Sequence, residues 1–161
     1  MFILNSMNKK IILNSIIFLS FIALSFAYFV EFVLGHEPCN LCKIERIPYI
    51  GSIIIISFLI FINRLERILI SITLLLFIFG AVTSVYHVGI EQGIFSESLL
   101  CELGINANIQ NTDELLKTLK KTPISCKDVT FKIFGLSLAT FNAVLNILIS
   151  YILLKLILKN E

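Results

Sequence analysis

What this chain has least of is charge. Only 15% of its residues are Asp, Glu, Lys or Arg, against 57% hydrophobic, and the mean hydropathy is +0.94. Residues 11–30, 47–62 and 133–154 contain no charged side chain, and the same is true of 68–90 apart from His87. Leucine and isoleucine come in blocks instead of alternating with polar residues. A water-soluble domain is excluded by that composition. Tryptophan is absent, proline occurs only at Pro38, Pro48 and Pro123, and no cysteine falls within the four uncharged runs. No nucleic-acid partner is expected.

The uncharged runs set the architecture. A helix rises about 1.5 Å per residue, so roughly 20 residues cross the hydrocarbon of a bilayer. Three of the runs are long enough unaided. The second, Ile47–Ile62, falls short, and its helix is expected to recruit Cys42-Lys43-Ile44-Glu45-Arg46, leaving Pro48 within the first turns where a missing N–H costs least. Cys42 then stands at the lip of the bilayer with Arg46 one turn below it on the same face. The chain reads as an all-α membrane protein, a single four-helix domain over residues 1–161 with spans at about 11–32, 43–62, 68–89 and 133–156. A secretory leader over the first run is disfavoured, because its apolar stretch is too long and cleavage would leave an odd number of spans.

Basic residues orient the bundle. The N-terminal segment (Lys9, Lys10), the turn between the second and third spans (Arg64, Arg67) and the C-terminus (Lys155, Lys159) hold six basic residues against two acidic ones. Those segments, and so both termini, are expected in the cytoplasm. The loops at roughly 31–46 and 91–132 are longer and hold seven basic residues against nine acidic ones. They are expected on the exported side.

All four cysteines, Cys39, Cys42, Cys101 and Cys126, lie in or beside those exported loops. Protein disulfides persist in oxidising compartments, and four cysteines allow three pairings. Cys39-Asn40-Leu41-Cys42 is a Cys-x-x-Cys, whose neighbouring thiols close into a small, exchange-prone disulfide. A helix N-terminus and a nearby cation, Arg46 before Lys43, are expected to stabilise a thiolate at Cys42. Structural zinc is a competing use of these residues, completed by Cys101 and Cys126 or by His36. Zinc sites usually show a second closely spaced ligand pair, whereas 24 residues separate Cys101 from Cys126. A static staple is a second alternative for that distal pair.

The second exported loop contains Asn111-Thr112-Asp113-Glu114, a capping-box spacing, followed by Leu115, Leu116 and Leu119 on one side and Lys117, Lys120 and Lys121 elsewhere, up to Pro123. A short amphipathic helix lying on the membrane surface or the bundle is expected there. Within the spans, Asn142, Asn146, Ser137, Thr140, Thr83 and Ser84 are expected to join helices. His87, Glu31 and Glu91 stand at the exported ends of spans, where a ligand contact competes with a merely hydrated one.

These residues together resemble the disulfide bond formation protein B (DsbB) family. The matching pieces are Pro38-Cys39-Asn40-Leu41-Cys42-Lys43-Ile44-Glu45-Arg46 ahead of the second span, Tyr86-His87-Val88-Gly89-Ile90-Glu91-Gln92-Gly93 after the third, the separated Cys101 and Cys126, and Phe134-Gly135-Leu136-Ser137-Leu138-Ala139 opening the fourth. The resemblance implies a bacterial inner-membrane thiol oxidase that re-oxidises a periplasmic DsbA-like thioredoxin-fold protein and passes the electrons to a lipid-soluble quinone, ubiquinone or menaquinone. It implies Cys39 with Cys42 as the pair facing the quinone, Cys101 with Cys126 as the pair meeting the partner, Arg46 as a quinone-binding residue and His87 as a further pocket residue. Phe134 and Phe141 stand where the family carries aromatics in the fourth span. A vitamin K epoxide reductase-like oxidoreductase is the enzymatic alternative, but its Cys-x-x-Cys is expected on the final helix of the bundle. A zinc-binding or purely structural four-span protein is the non-enzymatic one.

Overall fold

The computed structural model describes residues 2–61, 65–96, 125–127, 132–133 and 135–158. Among them are four long helices, α1 (Phe2–Phe32), α3 (Ile47–Phe61), α4 (Glu66–Glu91) and α5 (Leu138–Leu158), and one short helix, α2 (Asn40–Ile44). A two-stranded antiparallel ladder pairs β1 (Lys132–Ile133) with β2 (Leu136–Ser137). Lys9–Phe32, Glu66–Glu91 and Leu138–Leu158 are each long and apolar enough to cross a membrane. The amphipathic segment expected near 111–121, together with Cys101 and Phe134, lies outside the described residues.

Two expected boundaries move. The second span does not begin at residue 43 as one continuous helix. It is divided at Glu45–Arg46, where the Glu45 N–H closes α2 on the Leu41 carbonyl at 2.9 Å and the Arg46 carbonyl accepts from Ile50 N at 3.1 Å to open α3. Pro48 supplies the reason: it has no N–H to offer the carbonyl of Ile44, so a helix running through this segment would lose a bond where a restart loses none. Cys42 and Arg46 therefore belong to different elements and do not share a helix face. The fourth helix starts at Leu138, not 133. Gly135, at φ +83°, sits in the tight turn between β1 and β2, and Ser137 then caps α5 by accepting from Thr140 N at 3.2 Å.

α4 packs against both α3 and α5, and α1 packs against α3. The close approach on both sides of α4 is possible because residue 80 is glycine: a Cβ there would meet Asn146 Oδ1 at 2.6 Å and Pro48 Cγ at 2.8 Å. Leu13, Ile16, Tyr49, Ile56, Leu59, Ile70, Phe77, Ile149, Leu153 and Leu156 form the main apolar core. Outside it, Phe18, Phe21, Ile54, Leu75 and Val82 are each more than 60% exposed. So much bare apolar surface around a bundle matches lipid, not water. Lys9 pairs with Glu66, tying α1 to α4 at the end remote from Cys39.

Candidate active site

The opposite end of the bundle is polar inside. α4 finishes at Gln92 in a Schellman arrangement, with Gly93 at φ +76°, its N–H on Ile90 O at 3.0 Å and Ile94 N on Gly89 O at 2.8 Å. This stop presents the last turns of α4, and with them His87, to α2. In α2, Cys39 is the N-cap, and its Sγ accepts from Cys42 N at 3.2 Å. The i, i+3 spacing brings Cys42 Sγ to 2.6 Å from Cys39 Sγ.

His87 Nε2 lies 3.6 Å from Cys39 Sγ. On the other side of the ring, Nδ1 is 2.9 Å from Glu45 Oε1, and the second oxygen of that carboxylate accepts from Asn142 Nδ2 at 2.7 Å. Asn142 Nδ2 also donates to Ser84 Oγ at 2.8 Å, its Oδ1 accepts from Tyr49 OH, and Asn146 Nδ2 donates to Tyr49 OH at 3.2 Å. A chain of polar groups thus runs from the sulfur of α2 through α4 and the α2–α3 turn to α5. His87 and Glu45 are almost wholly buried, at 3% and 6% exposure. Burying a carboxylate costs several kcal/mol unless hydrogen bonds compensate, and here each oxygen has one. With the carboxylate accepting at Nδ1, that nitrogen carries the proton, and Nε2 can take a proton from the Cys39 thiol or return one to its thiolate.

Beside this network is a cavity of about 380 Å³. Its walls are chiefly apolar, with Ile22, Ala27, Val30, Leu138, Phe141 and Leu145 among them, and Cys39, Cys42, Arg46 and His87 reach the same space. The Arg46 guanidinium donates through Nη1 to Glu31 Oε2 at 2.5 Å and stacks 4.7 Å above the Tyr28 ring. Cys126 is buried in a small cluster with Cys39, Leu41 and Ile90, although many residues separate it from them in sequence.

Five of the expected residues, Cys39, Cys42, Arg46, His87 and Cys126, therefore line one cavity. The helix N-terminus expected to serve Cys42 serves Cys39 instead, whose Sγ accepts from Cys42 N and has His87 Nε2 beside it. Arg46 is held by Glu31, which gives that glutamate a defined contact in place of simple hydration. Sequence reasoning missed Glu45 as a member of the site and saw Asn142 only as a link between helices. A signal was available: Glu45 adjoins Arg46 at the edge of an apolar run, and an ionisable residue at membrane depth calls for a named partner.

An uncharacterized protein, RP370, of Rickettsia prowazekii (strain Madrid E) is 33% identical over 142 residues, covering 86% of this chain and 81% of that one. No solved structure matches the chain. The family described as disulfide bond formation protein DsbB matches residues 9–156. A multi-pass helical chain with a membrane-edge Cys-x-x-Cys, matched over nearly its whole length, belongs to the DsbB family of quinone-dependent inner-membrane disulfide oxidases.

Proposed function

We propose that this chain is a quinone-linked protein thiol oxidase, one membrane-embedded domain with cytoplasmic termini and periplasmic cysteine loops, which re-oxidises a DsbA-like thioredoxin-fold dithiol. The observation that carries this reading is the position of two cysteine sulfurs 2.6 Å apart on the wall of a largely apolar cavity shared with Arg46 and His87. A cavity of this size falls within the range of small-molecule sites, and its few convergent polar groups suit a flat apolar ring with polar oxygens. Arg46 and His87 are the residues to hold such oxygens, with Cys42 at the ring. When bound, a quinone supplies the sink for two electrons and two protons.

The protein's own part is a thiol–disulfide relay. A partner thiolate attacks the Cys101–Cys126 disulfide, forming a mixed disulfide at Cys101 and releasing Cys126 as thiolate. The second partner thiol then closes the partner's disulfide and leaves Cys101 and Cys126 reduced. Their two electrons pass to the Cys39–Cys42 disulfide by the same exchange, for which the burial of Cys126 beside Cys39 is favourable. As the Cys39–Cys42 disulfide re-forms, two electrons leave for the acceptor, the Cys39 proton leaves through His87 Nε2, and Cys42 gives up its own proton as it reacts as the thiolate. Glu45 keeps the imidazole in the orientation that receives it, and Arg46 offers positive charge where the acceptor's oxygens gain electrons. A DsbA-like partner is itself strongly oxidising, at about −120 mV, so the net reaction needs an acceptor of higher potential.

The test is anaerobic turnover of the purified full-length protein with a reduced thioredoxin-fold partner and ubiquinone or menaquinone. Cys42→Ser is expected to reduce quinone reduction to background while the helical signal persists. Turnover at the parental rate in that variant would overturn the reading.

A further inference from the structure

We propose that the reduced Cys39–Cys42 dithiol and His87 form a redox-gated site for a soft divalent cation, of which Zn²⁺ is the type. Cys39 Sγ, Cys42 Sγ and the His87 nitrogen all lie within 4.8 Å of one another. Two thiolates and an imidazole are the donors Zn²⁺ takes most readily, at about 2.3 Å from sulfur and about 2.0–2.1 Å from nitrogen. Tetrahedral bonds of those lengths put the ligand atoms roughly 3.3–3.8 Å from one another. The Cys39 Sγ to His87 Nε2 distance is 3.6 Å already. The two sulfurs, 2.6 Å apart, have to separate by about 1 Å, and Cys42 Sγ, within 4.8 Å of the imidazole nitrogen, then completes the triangular face.

Two features separate this cluster from a chance meeting of donors. Metal-binding histidines usually donate their other ring N–H to a carboxylate, which fixes the tautomer and raises the basicity of the ligating nitrogen. Glu45 Oε1 stands 2.9 Å from His87 Nδ1 in that role, itself held by Asn142 at 2.7 Å. The ligands also come from two elements, α2 and α4, so the site requires the folded bundle. All three ligands line the cavity, as does Glu91, so water or Glu91, whose Oε1 is 3.8 Å from His87 Nε2, is at hand for a fourth position. This differs from a structural zinc centre built from all four cysteines, since neither Cys101 nor Cys126 is required.

The gating follows from sulfur chemistry. Binding releases the two thiol protons to solvent as two sulfur–zinc bonds form, and no electron moves. A closed Cys39–Cys42 disulfide has no thiolate to give and cannot bind. Zinc is then held by the reduced form alone and blocks closure of the disulfide, an inhibitory state separate from the transfer reaction. The binding can be measured without any turnover, so its failure and the failure of the oxidase reading are distinguishable.

The experiment titrates the full-length protein in detergent, reduced with a phosphine under anaerobic conditions, with Zn²⁺ against a chromophoric chelator. Co²⁺ serves as an optical probe of thiolate ligation. One equivalent is expected for the reduced protein and none for the oxidised one, and the Cys101→Ser/Cys126→Ser variant is expected to keep that equivalent. His87→Ala is expected to lose it, and Glu45→Gln to bind about 10–100-fold more weakly. Glu45→Gln also keeps the proposal testable if His87→Ala fails to fold. The proposal is overturned if the reduced protein binds no zinc, if the oxidised protein binds equally well, or if affinity is indifferent to both His87→Ala and Glu45→Gln.

Discussion

The two ends of this bundle use the same helices for opposite purposes. At the end where Lys9 meets Glu66, the interior is Leu13, Ile16, Ile70, Leu153 and Leu156, and the buried Thr73 beside them bonds within its own helix, to the Leu69 carbonyl at 2.9 Å. At the other end, α4 and α5 bury His87, Ser84 and Asn146, the α2–α3 turn buries Glu45, and α2 buries Cys39. Apolar packing tolerates small changes of shape at a cost spread over many contacts. A buried polar chain does not, because every group depends on the next for its desolvation to be offset. The comparison teaches where function and stability separate: substitutions at the cysteine end should cost activity first, and substitutions in the apolar end should cost stability first.

The largest expected effect is at Cys39. Cys39→Ser retains a small side chain at the N-cap of α2 and is expected to shift stability by less than about 1 kcal/mol, while steady-state quinone reduction falls at least about 10³-fold, since no disulfide can close. Parallel measurement of turnover and of the detergent unfolding midpoint checks both. A large loss of stability with residual turnover would erase the contrast between the two ends.

Next is Glu45→Gln, which keeps a hydrogen-bonding group beside His87 and Asn142 but removes the charge that orients the imidazole. General acid–base assistance is worth about 10²–10⁴ in rate, and a fall of about 10²-fold is expected, partly restored in Glu45→Asp. The discriminating readout is kcat against KM: a positioning role lowers kcat with KM nearly constant. An unchanged kcat would assign the Glu45–His87 pair to folding alone.

The apolar end was the more legible in the sequence, for a physical reason. Uncharged runs announce spans because lipid leaves no other conformation for the backbone, and α4 at Glu66–Glu91 lies within two residues of the 68–89 expected. What composition could not show was the break at Glu45–Arg46, a matter of one missing proline N–H, or the ladder before α5, which turns on the backbone freedom of Gly135. At the cysteine end, the Cys-x-x-Cys and Arg46 were legible as a motif. The partnership of His87 with Cys39 was not, because they lie 48 positions apart in the chain and only the packing of α2 against α4 brings them together. Glu45 was hidden by its neighbours, since a glutamate among Lys43, Arg46 and solvent-edge residues reads as surface charge until Asn142 and His87 are seen on its two oxygens.

In the apolar end, Ile149→Val removes one methylene from a residue that is 1% exposed in the main core. A loss of about 1 kcal/mol is expected, read as a lower unfolding midpoint, with turnover per folded molecule unchanged. A measurable fall in that turnover would mean the ends are mechanically coupled.

The smallest effect is expected where polarity intrudes on the apolar region without a role in the chemistry. Ser20 Oγ and Ser52 Oγ are 3.0 Å apart, joining α1 to α3, and both residues are fully buried. Hydrogen bonds between membrane helices average about 0.6 kcal/mol. Here the figure should not be exceeded, because Ser52 Oγ also donates to the Tyr49 carbonyl within its own helix at 2.8 Å and so is not orphaned when Ser20 is replaced. Ser20→Ala is expected to lower stability by about 0.6 kcal/mol or less and to leave turnover at the parental value. Asn142→Ala makes the instructive opposite: it strips partners from Glu45, Ser84 and Tyr49 together. If Ser20→Ala were to impair turnover as Glu45→Gln does, the hydrogen bonds between helices would have to be counted as part of the reaction's machinery, and the division between the two ends would fail.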